Sequence, residues 1–253
     1  MENFWATAPV SYIADGELSS PRFCRAFAAG CGGIAVTENE LRPGPVAAFG
    51  SPKLWNILRQ ARKEGRDWYY ADHAYFGRFR FYRVTRNAWQ HDGRGNAGFD
   101  RLRNLGVEIL PWQKSGSHVV VCPPDEAFSK LMGFSDIEWL SNTINLLNNY
   151  TDREIVIRDR SCANGSRKLA EDLKGCWALI TYMSNSAVEA VCAGIPVFCS
   201  GQCAARLMGG VDLSKIESPR YPSNRRQWAA NLAANQWTLS EIANGDCWKE
   251  IGR

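Results

Sequence analysis

One stretch constrains this chain more than any other: Cys176 to Gly201, CWALITYMSNSAVEAVCAGIPVFCSG. Trp177 to Met183 is nearly unbroken in apolar, strand-forming residues, as a strand covered on both faces must be. Ser184-Asn185-Ser186 interrupts it, and Ser186 and Glu189 have the spacing of a capping box. A short helix is expected to follow. Gly194 suits the left-handed turn that ends a helix, and Pro196 biases Ile195 toward extended backbone. Val197-Phe198-Cys199 then restarts a strand. Strand, turn, helix, strand is half of a parallel α/β layer. The start of its helix carries unsatisfied N–H donors and the positive dipole end, an environment that suits a phosphate.

The same alternation extends in both directions. In the first half, Val10–Ala14, Ile34–Thr37, Val46–Gly50, Trp68–Ala71 and Phe79–Thr85 read as strands. Arg22–Ala29 and a segment from Ser51-Pro52 to about Glu64 read as helices, the second with Ser as cap and Pro in its first turn. Gln90–Phe99 has loop composition, and Pro111–Ser117 reads as a linker. Beyond it, His118–Cys122 and Glu154–Ile157 are expected strands, with helices over Ile137–Asn148 and Ser166–Leu173. The tail, Asn224 to Ile251, is expected to be helical. The 253 residues therefore divide into an α/β half over 1–115, a second over 116–222, and C-terminal helices over 223–253 that pack back across the halves.

Bulk properties set the class. No apolar run approaches a membrane span, and the first ten residues lack a basic segment followed by an apolar one, so neither a membrane partner nor a signal peptide is expected. Nine cysteines, several in apolar runs, read as buried free thiols of a reducing cytoplasm. No Cys-x-x-Cys pair occurs and the three histidines are scattered, so no metal site is expected.

The run SNSAVEAVCAGIPVF resembles the donor-binding segment of GT-B glycosyltransferases, through Ser184, Ser186, Glu189, Gly194, Pro196 and Val197. The resemblance implies an α/β, GT-B-like fold of two Rossmann-like halves whose parallel sheets face a central cleft. It also implies a nucleotide-sugar co-substrate, with a UDP-sugar first in line, no further cofactor, and metal-independent transfer. The Ser-rich turn would meet the diphosphate and Glu189 the ribose. Arg158, just beyond a strand end, and Lys168, at a helix start beside Arg167, are expected to hold phosphates. Asn185 belongs to the turn, and Ser200, Gly201 and Gln202 lie at the same sheet edge.

The acceptor half is expected to supply the base. A strand ending in Asp72-His73 presents a carboxylate and an imidazole, with Asp72 the first choice and His73 the second. Charge points to the partner. Between Lys53 and Arg103 twelve Lys/Arg face five acids, an excess of +7 in a chain of net charge +4. Aromatic and basic residues interleave from Tyr75 through Arg78, Arg80, Arg83 and Arg86, and Arg94 sits in a glycine-rich loop. Arginine neutralises phosphates and aromatic rings stack on bases. The expectation is thus a monomeric cytoplasmic enzyme, in the host cytoplasm if phage-encoded. It would resemble the phage glycosyltransferases that modify hydroxymethylated pyrimidines in double-stranded DNA. A polysaccharide or lipid-linked sugar acceptor is one alternative. A non-catalytic nucleic-acid-binding α/β protein is the other.

Overall fold

A computed structural model describes residues 8–159 and 167–252. Two compact units emerge, Met1–Gln90 with Asn235–Arg253, and His91–Ala234.

The first unit begins with β1 (Val10–Ile13), α1 (Ser19–Cys31), β2 (Ile34–Thr37) and β3 (Val46–Phe49). A 3₁₀ turn over Pro52–Leu54 leads into α2 (Trp55–Lys63), followed by β4 (Trp68–His73) and β5 (Tyr82–Arg86). β1 to β4 are parallel, which matches the near-continuous burial of β3 and of the first four residues of β4. α1 covers one face with Phe23, Cys24 and Phe27, and the rings of Phe23 and Phe27 stack at 5.4 Å. The expected strand over Phe79–Thr85 starts later. Gly77 and Phe79 both take positive φ, and the Phe81 amide donates to the Gly77 carbonyl, so the chain turns tightly there before β5 runs antiparallel to β4.

The second unit contains α3 (Asp100–Asn104), β6 (His118–Cys122), α4 (Glu126–Met132), α5 (Asp136–Asn148), β7 (Glu154–Ile157) and α6 (Leu169–Asp172). Next come β8 (Cys176–Thr181), α7 (Ser186–Cys192), β9 (Val197–Cys199) and α8 (Arg225–Ala234). Ser166, the expected start of the helix before β8, lies outside the described residues. The sheet is wholly parallel, in the order β7-β6-β8-β9, and every residue of β8 is buried. Leu147 on α5 and Val119, Ala178 and Ile180 on the sheet form its core.

The chain then returns to the first unit with β10 (Gln236–Trp237), α9 (Leu239–Ala243) and α10 (Asp246–Ile251). β10 pairs antiparallel with β5, completing a six-stranded sheet in the order β10-β5-β4-β3-β1-β2. Thr238 and Glu241 form a capping box on α9, and Ile242 and Cys247 join the α1 core.

The units divide at 90/91 and 234/235 rather than at 115 and 222, and hydrogen bonds explain why. Segment 91–97 is fastened to α8, where Asn231 Nδ2 donates to the carbonyls of Gly93 and Gly95 and its Oδ1 accepts from the Ala97 amide. The expected linker at 111–117 is tied to the same unit. Leu110 and Gln113 amides donate to the Cys192 and Gly194 carbonyls, and the Arg225 guanidinium lies 3.9 Å from the Trp112 ring centroid. Among the described residues every cysteine is free and all but Cys192 are buried. No helix among them is long and apolar enough to cross a membrane.

Gly194 has φ +80°, and a Cβ there would collide with the Pro111 carbonyl. Gly194→Ala is expected to destabilise the second unit by about 2 kcal/mol or more, through both strain and collision. Thermal denaturation checks this, and an unchanged melting temperature would show that the 110–113 contact yields without cost.

Candidate functional site

In open α/β sheets, ligands bind beyond the carboxyl ends of strands where the strand order reverses. In the second unit the chain moves from β6 outward to β7 and then back to β8 on the other side, so the reversal lies between β6 and β8. Thr181, the last residue of β8, donates its hydroxyl to the Cys122 carbonyl at 2.8 Å and accepts from the Ser184 amide at 3.3 Å. Ser184 Oγ accepts from the Ser186 amide at 3.2 Å. The Ser184-Asn185-Ser186 turn therefore stands at the switch point of a parallel sheet, shaped by its own hydroxyls. The capping box expected of Ser186 and Glu189 does not form. Asn185 is the cap position, and Ser186 instead starts α7 with its hydroxyl buried beside the Cys122 thiol. Burial pushes that thiol up to about 11, with the Ser186 hydrogen bond opposing. Glu189 is exposed on α7.

Ser200, Gly201 and Gln202 follow β9 at the same edge. Trp139 Nε1 donates to Ser200 Oγ at 3.1 Å, and a Cβ on Gly201 would press on the Tyr182 ring at 2.7 Å. Arg158 stands just beyond β7, with its amide on the Val121 carbonyl. Its guanidinium is already engaged. Nη1 pairs with Asp172 at 2.5 Å and Nη2 donates to the Arg167 carbonyl at 2.9 Å. Asp172 also pairs with Arg167 at 2.6 Å and is 6% exposed. Lys168, exposed at the start of α6, is the cation at this edge that points least to structure.

In the first unit, Asp72 and Arg83 face each other across β4 and β5. Asp72 Oδ2 accepts from Arg83 Nη2 at 2.7 Å and from the Tyr70 hydroxyl at 3.3 Å, and its Oδ1 accepts from the His73 amide at 2.7 Å. Burial pushes the Tyr70 phenol far above its ordinary value, so it stays a donor. Asp72 thus neutralises a buried guanidinium. His73 packs edge-on against Phe49 at 5.3 Å and Phe79 at 4.8 Å. Its Nδ1 is buried and has no hydrogen-bond partner among the described residues. Burial lowers its proton affinity, with Arg78 and Arg83 acting in the same direction and Asp72 against them.

The residues expected to meet an anionic acceptor separate into groups. Arg83 and Tyr75 are not on the surface: they are 4% and 6% exposed, and the guanidinium lies 5.1 Å from the Tyr75 ring centroid. β5 is covered on both faces, so Arg83 cannot meet an acceptor. Arg86 pairs with Asp67 at 2.6 Å. Arg94 belongs to the second unit, where it pairs with Asp92 and lines a cavity of about 360 Å³ with Arg220 and Trp228. Arg78 and Arg80 are exposed.

Sequence reasoning passed over the switch point of the first sheet, between β1 and β3. Glu17 lies there, and Ser51, directly after β3, donates to its carboxylate at 2.6 Å. Lys53 Nζ donates to the Asp15 carbonyl at 2.6 Å. The signal was available as an Asp-Gly-Glu turn after a strand, but nothing local marks it as different from any other turn. Asp172 was equally invisible, since its partners come from across α6 and β7.

Removing the Asp72 carboxylate by Asp72→Ala leaves Arg83 buried and unpaired, so a stability loss of about 3 kcal/mol is expected. Arg83→Met with Asp72→Ala should recover much of it, and a double-mutant cycle by urea unfolding measures the coupling. His73 and His91 are both held below their ordinary values by burial, His91 with Asp92 opposing. Lowered histidines favour the fold while neutral, so their contribution is complete above the unfolded value of about 6.5 and is lost as pH falls from there through the lowered folded values. Melting temperature should therefore drop on acidification in that window, and less steeply in His73→Asn.

No family model matches the chain, and no curated protein matches it in sequence. Solved structures do. Thermosulfurimonas dismutans KpsC, beta Kdo 2,4 transferase, superposes with a TM-score of 0.53 at 12% identity, over 89% of this chain and 90% of that one. Thermosulfurimonas dismutans KpsC, beta Kdo 2,7 transferase, superposes with a TM-score of 0.50 at 12% identity, over 94% and 98%. The likeness spans both units and establishes the fold as α/β of the two-domain, GT-B-like kind.

Proposed function

We propose that this chain is a glycosyltransferase that moves a sugar from a nucleotide-sugar to a hydroxyl of a saccharide acceptor. The observation that carries the reading is the Ser184-Asn185-Ser186 turn at the β6/β8 switch point of a parallel sheet, in a fold shared with sugar transferases. Ser184 accepts a backbone bond and keeps its own proton to donate to a phosphate. Lys168 supplies a cation at the same edge, and exposed Glu189 faces outward one turn into α7, where a ribose hydroxyl would lie. A UDP-sugar is the first donor to try. Transfer also requires a base for the acceptor hydroxyl. Asp72 is committed to Arg83, which leaves His73, neutral near pH 7, and Glu17, at the switch point of its own sheet, as the better candidates.

Hydroxymethylated DNA is the second reading, favoured by the +7 excess between Lys53 and Arg103. The excess survives folding but not as one stripe. Arg83 is buried, and Arg94, Arg101 and Arg103 belong to the second unit.

Incubation with a panel of nucleotide-sugars, offered oligosaccharides and hydroxymethylated duplex DNA in parallel and followed by product mass spectrometry, decides between them. Glycosylated oligosaccharide supports the first reading and glycosylated nucleoside the second. Binding of DNA with no nucleotide-sugar bound would return the chain to a non-catalytic binder. Ser184→Ala with Lys168→Ala is expected to lower turnover about a hundredfold, because both act where charge develops on the leaving group. His73→Asn and Glu17→Gln separate the two base candidates. The one that carries the role abolishes transfer while donor binding by calorimetry stays at wild-type strength.

A further inference from the structure

The loop joining β4 to β5 contains a residue that packing does not explain. Phe79 has φ +73°, a left-handed conformation that strains a bulky side chain, yet its ring is 71% exposed. A buried ring would compensate such strain. One in solvent does not, and glycine, already used at Gly77, would adopt the same backbone freely.

The loop is firmly held. Gln236 on β10 is fully buried, and its side-chain amide bonds the Phe76 backbone in both directions, Nε2 to the carbonyl at 2.8 Å and the amide to Oε1 at 3.1 Å. The Ala74 amide donates to the Phe81 carbonyl. Phe79 is thereby displayed from a fixed frame, its ring centroid 4.8 Å from that of His73. The Arg78 guanidinium lies 5.2 Å from the Phe79 ring centroid, and that of Arg80 lies 5.2 Å from the Phe81 ring. Both arginines are exposed, and neither is ion-paired to a carboxylate among the described residues.

We propose that Phe79, flanked by Arg78 and Arg80, is a platform for one acidic pyranose residue of the acceptor, whose apolar ring face lies on Phe79 and whose carboxylate meets the arginines. The assignment rests on the reading of the chain as a transferase with a saccharide acceptor. A neutral sugar would leave the two arginines without a role. Duplex DNA needs a run of phosphate contacts, whereas the stretch from Tyr75 to Arg86 exposes only Gly77, Arg78, Phe79 and Arg80. One ring and two guanidinium groups match one acidic sugar. The His73 ring lies beside the platform, packed against Phe79.

The test uses the full chain, saturation-transfer NMR and equilibrium titration. The probes are a glucuronate-terminated disaccharide, its glucose-terminated counterpart and hydroxymethylated duplex DNA. The acidic disaccharide is expected to bind. Phe79→Gly should weaken it about tenfold, with a melting temperature equal to wild type or higher, because glycine relieves the strain. Phe79→Trp should restore binding. Arg78→Ala with Arg80→Ala should remove the preference for the acidic over the neutral sugar, and since both side chains are exposed this variant decides the matter if Phe79→Gly melts lower. Equal binding of acidic and neutral sugars, unchanged affinity in Phe79→Gly, absence of saccharide binding, or binding of DNA alone each overturns the proposal. Titration with nucleotide-sugars runs beside it. Donor binding without saccharide binding at Phe79 removes only the platform, while saccharide binding without any donor removes only the transferase reading.

Discussion

Each unit holds a buried guanidinium against a carboxylate at an edge of its sheet, Arg83 against half-buried Asp72 and Arg158 against buried Asp172, and much else follows from these two pairs. Arg83 is 4% exposed, so it must be neutralised where it stands, and Asp72 directly across β4 does so at 2.7 Å. The pairing fixes the β4–β5 register at one position and thereby the length of the loop between them. In the second unit Asp172 holds Arg158 and Arg167 together, fastening the end of β7 to α6. Such pairs contribute little net stability compared with apolar packing, but removal of either partner is costly. Their value here is positional, since they sit where ligands of such sheets bind.

This changes how charged residues at the two edges are to be understood. A guanidinium near a presumed phosphate site attracts a catalytic role, as Arg158 does. Its donors are nevertheless directed at Asp172 and a backbone carbonyl, so its effect on a ligand is to hold the α6 segment that carries Lys168. Asp72 is in the same position in the first unit. Its carboxylate is engaged by the Arg83 guanidinium, the Tyr70 hydroxyl and the His73 amide. His73, beside it, is kept neutral near pH 7 by the burial that lowers its proton affinity, so its imidazole is not already protonated.

The parallel core was legible because hydrophobic runs and turn residues act locally. β6, β7 and β2 fall where the residues place them, and Gly194 takes the left-handed conformation its position demanded. The capping box at Ser186 and Glu189 was not legible, because Thr181 and Ser184, set in place by β8, form the turn first. The burial of Arg83 was not legible for a tertiary reason: residue order cannot say that both faces of β5 are covered, nor that β10, about 150 residues further on, pairs along its open edge. The unit boundaries were missed likewise, through contacts such as Asn231 to Gly93 that have no local signature.

β10 links these points. It is two residues long, yet Trp237 pairs with Tyr82, Gln236 pairs with Arg83, and the Gln236 side chain closes the backbone of Phe76. A single short strand therefore shields the buried arginine and sets the loop that displays Phe79. The strain at Phe79 sits in a loop held by the side-chain amide of buried Gln236 and by the Asp72–Arg83 cross-strand pair at its base. Gln236 therefore ties the strand that pairs with β5 at Arg83 to the backbone three residues before Phe79, so a change at this one buried amide would reach both the arginine and the strained turn.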